Sequence, residues 1–340
     1  MKHVAIDLGG RESQICVRGE DGTILDEKRV ATKSLPKLMT QLDSSTVILE
    51  TSAEAFRVAD AAKQAGHRVA VVPATLVKQL GVGARGVKTD RRDAQALSLA
   101  SCRIELTSVH IPSENSRLLK SICGSREALV RTRTLLVNNA RGWLRTQLLR
   151  PRSGTTRTFG ARVREHAATH GFELPSHIER DLIVLETVNE QIKASDQQLR
   201  ELAGGNDVCR RLMTVPGVGA LTAVRFFAAI DDVSRFRTAH AVQSYLGLTP
   251  GERSSSERKQ TTGITKAGPS EVRRTLIQAA LVARRIRPND PMVQWSLQIE
   301  QRRGRFIAVV ALARKLAGIL YAMWRDAATY QPTHSARATI

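Results

Sequence analysis

The chain has 340 residues, 42% of them hydrophobic, enough to bury sizeable cores in two or three domains and to exclude a disordered tail protein. With 52 Lys and Arg against 32 Asp and Glu, its net charge is +20 and its pI near 10.8, unlike an ordinary metabolic enzyme and suited to polyanions. No apolar run approaches the roughly 18 residues of a spanning helix, which favours nucleic acid over a membrane as partner, and Cys16, Cys102, Cys123 and Cys209 lie too far apart for a zinc ribbon or disulfide framework.

In chain order, residues 4–6 form an apolar strand running into Asp7, and 14–18 and 23–30 alternate around the turn Glu20-Asp21-Gly22, which predicts a three-strand meander. Helical spacing over 35–42, a strand over 46–49 ending at Glu50, a helix over 55–65 and a strand over 68–72 predict a mixed α/β sheet. A short helix follows Pro73, then the glycine-rich basic loop 81–88, then a helix from Asp90 to Cys102. Leu118, Ile122, Leu129, Leu136, Ala140 and Leu144 mark one long helix over about 117–149, with many arginines on its polar face. A flexible joint is expected over 151–175, where Gly, Ser, Thr and Arg are enriched. Ile178, Leu182, Leu185, Ile192 and Leu199 then mark a second long helix, and the pair suggests a coiled-coil arm. Short helices and turns continue to about residue 325, before a polar tail. The expected domains are 1–112, an arm over 113–204, a C-terminal domain over 205–327 and a tail over 328–340.

An Asp ending the first strand, a Glu ending a later one and an Asp-x-x-Asp pair opening a helix is the plan of an RNase H-like nuclease site. Asp7 and Glu50 would be fixed on rigid strands, and Asp90 and Asp93, one helical turn apart, would reach the same place. Carboxylates shared by two magnesium ions roughly 3.5 to 4 Å apart can activate a nucleophile and stabilise a leaving oxygen. Lys88, Arg91 and Arg92 would draw phosphate to them. Each acid alone is equally a helix cap or an ion-paired strand end. Ile6-Asp7-Leu8-Gly9-Gly10 also resembles the first phosphate loop of actin-like ATPases, but no second such loop or adenosine motif follows.

Val215-Pro216-Gly217-Val218-Gly219 resembles a helix-hairpin-helix turn whose Gly217 and Gly219 would offer backbone N–H groups to phosphate, or else a plain helix-helix turn. Ser254, Ser255 and Ser256 sit in a loop flanked by Arg253, Arg258 and Lys259, followed by Lys266 and the basic helix start Arg273-Arg274. These basic residues are candidate nucleic-acid contacts. The loop is either the seat of a serine nucleophile or a solvated polar connector.

Lys88-Thr89-Asp90-Arg91-Arg92-Asp93-Ala94, Pro216-Gly217-Val218-Gly219, Arg235-Phe236, Tyr245-Leu246-Gly247-Leu248-Thr249-Pro250 and Ile264-Thr265-Lys266-Ala267-Gly268 together resemble the Piv/MooV-type transposases of bacterial insertion sequences, the one-ten family. The resemblance spans nearly the whole chain. It implies a RuvC-like, RNase H-fold N-terminal domain, a long helical arm and a small helical C-terminal domain, in fold-class terms α/β plus all-α. It further implies that Asp7, Glu50, Asp90 and Asp93 bind Mg2+ or Mn2+, and that the serine five residues beyond Pro250, Ser255, is the nucleophile. The partners it implies are DNA at the element ends and target, a structured guide RNA and further copies of the chain as dimer or tetramer, in a bacterial cytoplasm at the nucleoid. Family members usually have Ser-Gly where this chain has Ser255-Ser256, which leaves the register open by one residue, and often Asn where it has Pro269. The rival expectations are a metal-dependent resolvase or nuclease with structural serines, and a non-catalytic nucleic-acid-binding regulator.

Overall fold

The apolar strands of the first seventy residues are covered on both faces, which is why they read as near-continuous hydrophobic runs. The computed structural model describes residues 1–79, 89–255 and 258–332. Its N-terminal unit, Met1–Pro112, carries β1 (Lys2–Asp7), β2 (Glu12–Arg18), β3 (Ile24–Ala31), α1 (Leu35–Met39), β4 (Ser45–Glu50), α2 (Ala55–Gln64), β5 (Arg68–Val72), α3 (Ala74–Gln79) and α4 (Asp90–Arg103). The sheet order is β3-β2-β1-β4-β5, with the first three strands antiparallel and β4 and β5 parallel to β1. This is the mixed α/β sheet that the sequence predicts.

Val4, Ile6, Val47, Leu49 and Val71 face α1 and α2, whose Leu35, Met39, Val58, Ala59 and Ala62 complete that core. Ala5, Ile48 and Val72 point the other way, against Leu97 of α4. Apolar positions 55, 58, 59 and 62 of α2 follow the helical repeat, so one stripe of the helix lies on the sheet.

The second unit, Ser113–Ile340, begins with α5 (Glu114–Thr146), capped by Ser113, whose Oγ accepts the Ser116 N–H at 3.1 Å. It continues through α6 (Phe159–Thr169), α7 (Ser176–Gly204), α8 (Asp207–Leu212), α9 (Ala220–Ile230), α10 (Ala239–Tyr245), the hairpin β6 (Pro250–Ser255) and β7 (Arg258–Ile264), α11 (Ser270–Ile286), α12 (Pro291–Arg303) and α13 (Arg305–Arg325). Helices α5 and α7 pack along each other. Both are rooted in the C-terminal core, where Leu119, Cys123, Leu199 and Ala203 join Phe226, Leu276, Leu312 and Leu316.

Two expectations need correction. The stretch expected as a flexible joint carries α6, whose Phe159 and Val163 are buried with Val137, Leu144, Ile178 and Leu182 in a separate core of the arm. Its Gly, Thr and Arg residues hide a four-residue apolar period of Phe159, Val163 and Ala167. Helix α13 has only Arg314 and Lys315 as charges between its ends and is long and apolar enough to cross a membrane, contrary to the sequence reading. It is the central core helix: Leu312, Ala313, Leu316, Ala317 and Leu320 are fully buried, and α10, α11 and α12 pack on it.

Candidate active site

Strand alternation decides where the two sheet carboxylates lie. Ala5 and Ile48 are register partners across β1 and β4, and both face α4. Two residues further along each strand, Asp7 and Glu50 therefore end neighbouring parallel strands on that same face. Ligand sites of open sheets with parallel strands form at such carboxyl ends.

Helix α4 runs antiparallel to β1. Near its C-terminus Ser101 Oγ lies 2.9 Å from His3 Nδ1, and one turn earlier Leu97 packs with Ala5. Four helical residues advance about 6 Å and two strand residues about 6.6 Å, so the next step along both elements brings Asp93 to the level of Asp7. Asp93 is 2% exposed and shares a helix face with Leu97, and Asp90 sits one turn before it, exposed. Thr89 caps the helix by accepting the Arg92 N–H at 3.4 Å, and the two acids in the first turn meet the positive end of the helix dipole. All four carboxylates thus belong to the α4 face of the sheet, at one end of it.

Among the described residues, no three Asp, Glu, His or Cys side chains stand close enough to hold an ion, so the four share a face without a closed ligand shell. The donor set still fits a hard divalent cation, being all carboxylate oxygen on rigid elements.

A polar strip holds α4 in place, and the sequence reading missed it. The buried Arg18 of β2 donates from Nε to Ser98 Oγ at 2.8 Å and from Nη1 to the Gly22 carbonyl at 2.6 Å, and Ser98 Oγ donates to Cys16 Sγ at 3.2 Å. Beside it, Gln95 donates to Glu27 at 2.6 Å and Arg91 Nε donates to the same carboxylate at 3.0 Å. The hydrogen bond from Arg91 holds the Glu27 carboxyl below its ordinary value and raises the guanidinium in turn. Arg91, expected as a phosphate contact, is exposed but tied to β3 through Glu27, and Arg92 beside it is exposed too. The available signal was the α4-facing alternation Gln14, Cys16, Arg18 on β2 opposite the small polar Ser98 and Cys102 of α4. Lys88 and the loop before it lie outside the described residues.

In the second unit the serine loop is a β-hairpin, with Ser255 opposite Arg258, Ser254 opposite Lys259 and Arg253 opposite Gln260. Side chains 253–261 and the whole of Ser256 lie outside the described parts. At the hairpin base the two motif loops interlock: the Thr265 N–H donates to Thr249 O at 2.9 Å and the Lys266 N–H to Gly247 O at 3.2 Å. Gly268 has φ +70, and a Cβ there would stand 2.0 Å from Tyr245 O, so only glycine lets the loops touch. Arg273 corrects an expectation. It is buried, and its Nη1 donates to the carbonyls of Ala267, Leu246 and Gly268 at 2.6, 3.1 and 3.1 Å, so it stitches the hairpin base instead of facing nucleic acid. Arg274 is ion-paired with Glu127 and Glu271, while Lys266 is exposed at φ 58.

Gly217 also differs from expectation. At φ +85 its Cα presses on α11, and a Cβ would lie 2.2 Å from Ala279 O and 2.8 Å from Ala283 N. Its role is close helix packing, which leaves Gly219, open at the start of α9, as the accessible glycine of the turn. Gly217→Ala combines left-handed strain with overpacking and is expected to cost about 3 kcal/mol of unfolding free energy. Urea denaturation of the full chain measures it, and a cost below about 1 kcal/mol would contradict this packing.

The sequence model described as Transposase IS116/IS110/IS902 family matches residues 209–292, and a DEDD transposase model of IS110 matches residues 4–148. Among known proteins, the chain is 28% identical over 337 residues to the transposase for insertion sequence element IS1111A of Coxiella burnetii, covering 97% of this chain and 92% of that one. It is 27% identical over 339 residues to a probable family 20 transposase of Pseudomonas aeruginosa, covering 98% and 99%. It is 31% identical over 289 residues to a putative transposase, y4qE, of Sinorhizobium fredii, covering 77% and 70%.

Proposed function

Because the chain belongs to the IS116/IS110/IS902 family of transposases, enzymes that cut and rejoin DNA, we propose that it moves an insertion sequence by strand exchange. In this reading Asp7, Glu50, Asp90 and Asp93 hold Mg2+ or Mn2+, and Ser255 is the nucleophile. The observation that carries it is the common face: adjacent parallel strands end in Asp7 and Glu50, and α4 brings Asp93 to their level with Asp90 one turn away. When bound by these carboxylates, a divalent ion would supply charge neutralisation at the phosphodiester.

Ser255 Oγ forms an ester bond to phosphorus as the bond from phosphorus to a deoxyribose oxygen breaks. The serine proton passes to solvent, and the released sugar oxygen takes one up. Attack of a sugar hydroxyl on the serine phosphodiester reverses the step on the new strand and frees the serine. Arg253, Arg258 and Lys259, neighbours of Ser255 on the hairpin strands, supply positive charge for the phosphate, and the interlocked loops with Arg273 fix the base from which the hairpin starts. The exposed Lys266 and Arg92 and the open turn at Gly219 are the further phosphate contacts of this reading. Catalysis takes place in an oligomer on DNA and a structured RNA, partners suited to a +20 chain.

Denaturing gels of the reaction test this. Labelled DNA is expected to migrate attached to the wild-type chain and to Ser254→Ala and Ser256→Ala, but not to Ser255→Ala. Cleavage undiminished in Ser255→Ala would leave a plain metal-dependent nuclease, and loss in a neighbouring serine variant instead would move the register.

A further inference from the structure

We infer that the far end of the helical arm is a binding site for a polynucleotide phosphate backbone, formed by Arg141, Arg145 and Arg150 around a cavity of about 930 Å³. The cavity lies where α5 ends and the chain turns into α6, and Leu148, Leu149 and Phe159 supply its apolar wall. It uses none of the carboxylates or serines of the proposed catalytic set, so its failure would leave that reading as it stands.

Charge distribution is the first reason. Between Glu127 and Glu165 the chain has nine arginines, no lysine and no acidic residue. Ordinary solvated helices mix charges of both signs, and like charges held together oppose folding unless a polyanion relieves them. The second reason is availability. Two arginines on the cavity wall are already engaged: Arg152 pairs with Glu165, and Arg162 donates to the carbonyls of Arg152 and Thr155. Arg141, Arg145 and Arg150 have no carboxylate partner among the described residues and are exposed. Arg141 and Arg145, four apart on α5, present their forks on one side of the helix, and Arg150 comes from the loop.

The third reason is the surface beside the charges. The Arg141 guanidinium lies over the Phe159 ring, 5.2 Å from its centroid, which steers the planar fork while its outer N–H edge stays open. Leu148 is 91% exposed at φ 59, an apolar side chain held out by a strained backbone beside the three cations. Guanidinium forks match phosphate oxygens two at a time, and exposed apolar groups next to them suit the sugar and base faces that adjoin each phosphate. An acidic peptide would use the charges but not that apolar rim.

The test uses the full chain with Arg141, Arg145 and Arg150 all changed to Gln, against fluorescent duplex DNA of about 30 base pairs and a folded hairpin RNA of about that length. Substituting these exposed side chains, which have no carboxylate partner among the described residues, is expected to leave the fold intact, which thermal unfolding checks. Affinity is expected to fall about tenfold or more near 0.1 M salt, and the slope of log affinity against log salt to drop by about 2 to 3. A charge-matched variant with Arg180, Lys193 and Arg200 of α7 changed to Gln is expected to lose much less. Loss with the duplex alone assigns the site to DNA, loss with the hairpin alone assigns it to RNA, and loss with both assigns it to either backbone. Unchanged affinity and slope for both probes, or an equal loss in the α7 variant, would overturn the site.

Discussion

In Asp7→Asn, DNA strand cleavage is expected to slow by about 10³-fold, the equivalent of roughly 4 kcal/mol of lost transition-state stabilisation. Asn has the shape of Asp, and the β1–β2 ladder that pairs Asp7 with Gln14 is made by main chain, so the sheet should survive the change. What disappears is one anionic oxygen from the set on the α4 face. Cleavage rates measured across a series of Mg2+ concentrations, with thermal unfolding in parallel, separate a lost ligand from a lost fold. A rate within about twofold of wild type with the fold intact would sink the carboxylate reading. Absence of cleavage by both the wild-type chain and the variant would instead favour a regulator that binds DNA without cutting it.

The second large effect concerns Glu127, expected to cost about 3 to 5 kcal/mol when changed to Ala. This α5 carboxylate accepts from Arg274 and lies 3.6 Å from Arg225 and 3.8 Å from Arg131. Arg225 is 6% exposed on α9, with Nη1 donating to Thr275 Oγ1 at 2.8 Å and Nη2 to the Cys123 carbonyl at 3.2 Å. Those neutral acceptors orient the guanidinium but do not balance its charge. Truncating Glu127 takes the nearest carboxylate from a buried cation, at a point joining α5, α9 and α11. Changing both Glu127 and Arg225 to Met is expected to restore most of the loss, since no buried charge then remains unbalanced. Urea titrations of the two variants decide it: a Glu127→Ala cost under about 1 kcal/mol would mean that the arginine finds its compensation elsewhere.

The sheet and the long helices were legible because their apolar periods are uninterrupted, as with Val47, Ile48 and Leu49 or Ile178, Leu182 and Leu185. Asp7, Glu50, Asp90 and Asp93 stood out for a related reason: each follows or opens such a run, so its placement is inherited from the run. The β6–β7 hairpin did not stand out. Its strands, Pro-Gly-Glu-Arg-Ser-Ser and Arg-Lys-Gln-Thr-Thr-Gly-Ile, have no alternating apolar positions, and without them alternation carries no signal. Gly217 and Arg273 were misread because a glycine-rich turn and a basic helix start look alike whether they meet phosphate or a neighbouring backbone. Only the packing of α11, and the carbonyls converging on Arg273, distinguish the two. Arg18 escaped because a buried arginine requires distant acceptors, here Gly22 and Ser98, that no local spacing announces.

Helix α5 is a single element from the core residues Leu119 and Cys123 to Arg141 and Arg145 at the cavity. Each residue added to it turns one end relative to the other by about 100° and lengthens it by about 1.5 Å. Seven residues bring the arginines back to within about 20° of their original bearing, whereas two would carry them to nearly the opposite side. Changes in arm length that preserve the bearing of this end are therefore confined to near-integral numbers of turns, matched in α7, such as seven residues for about 10 Å or eleven for about 16 Å.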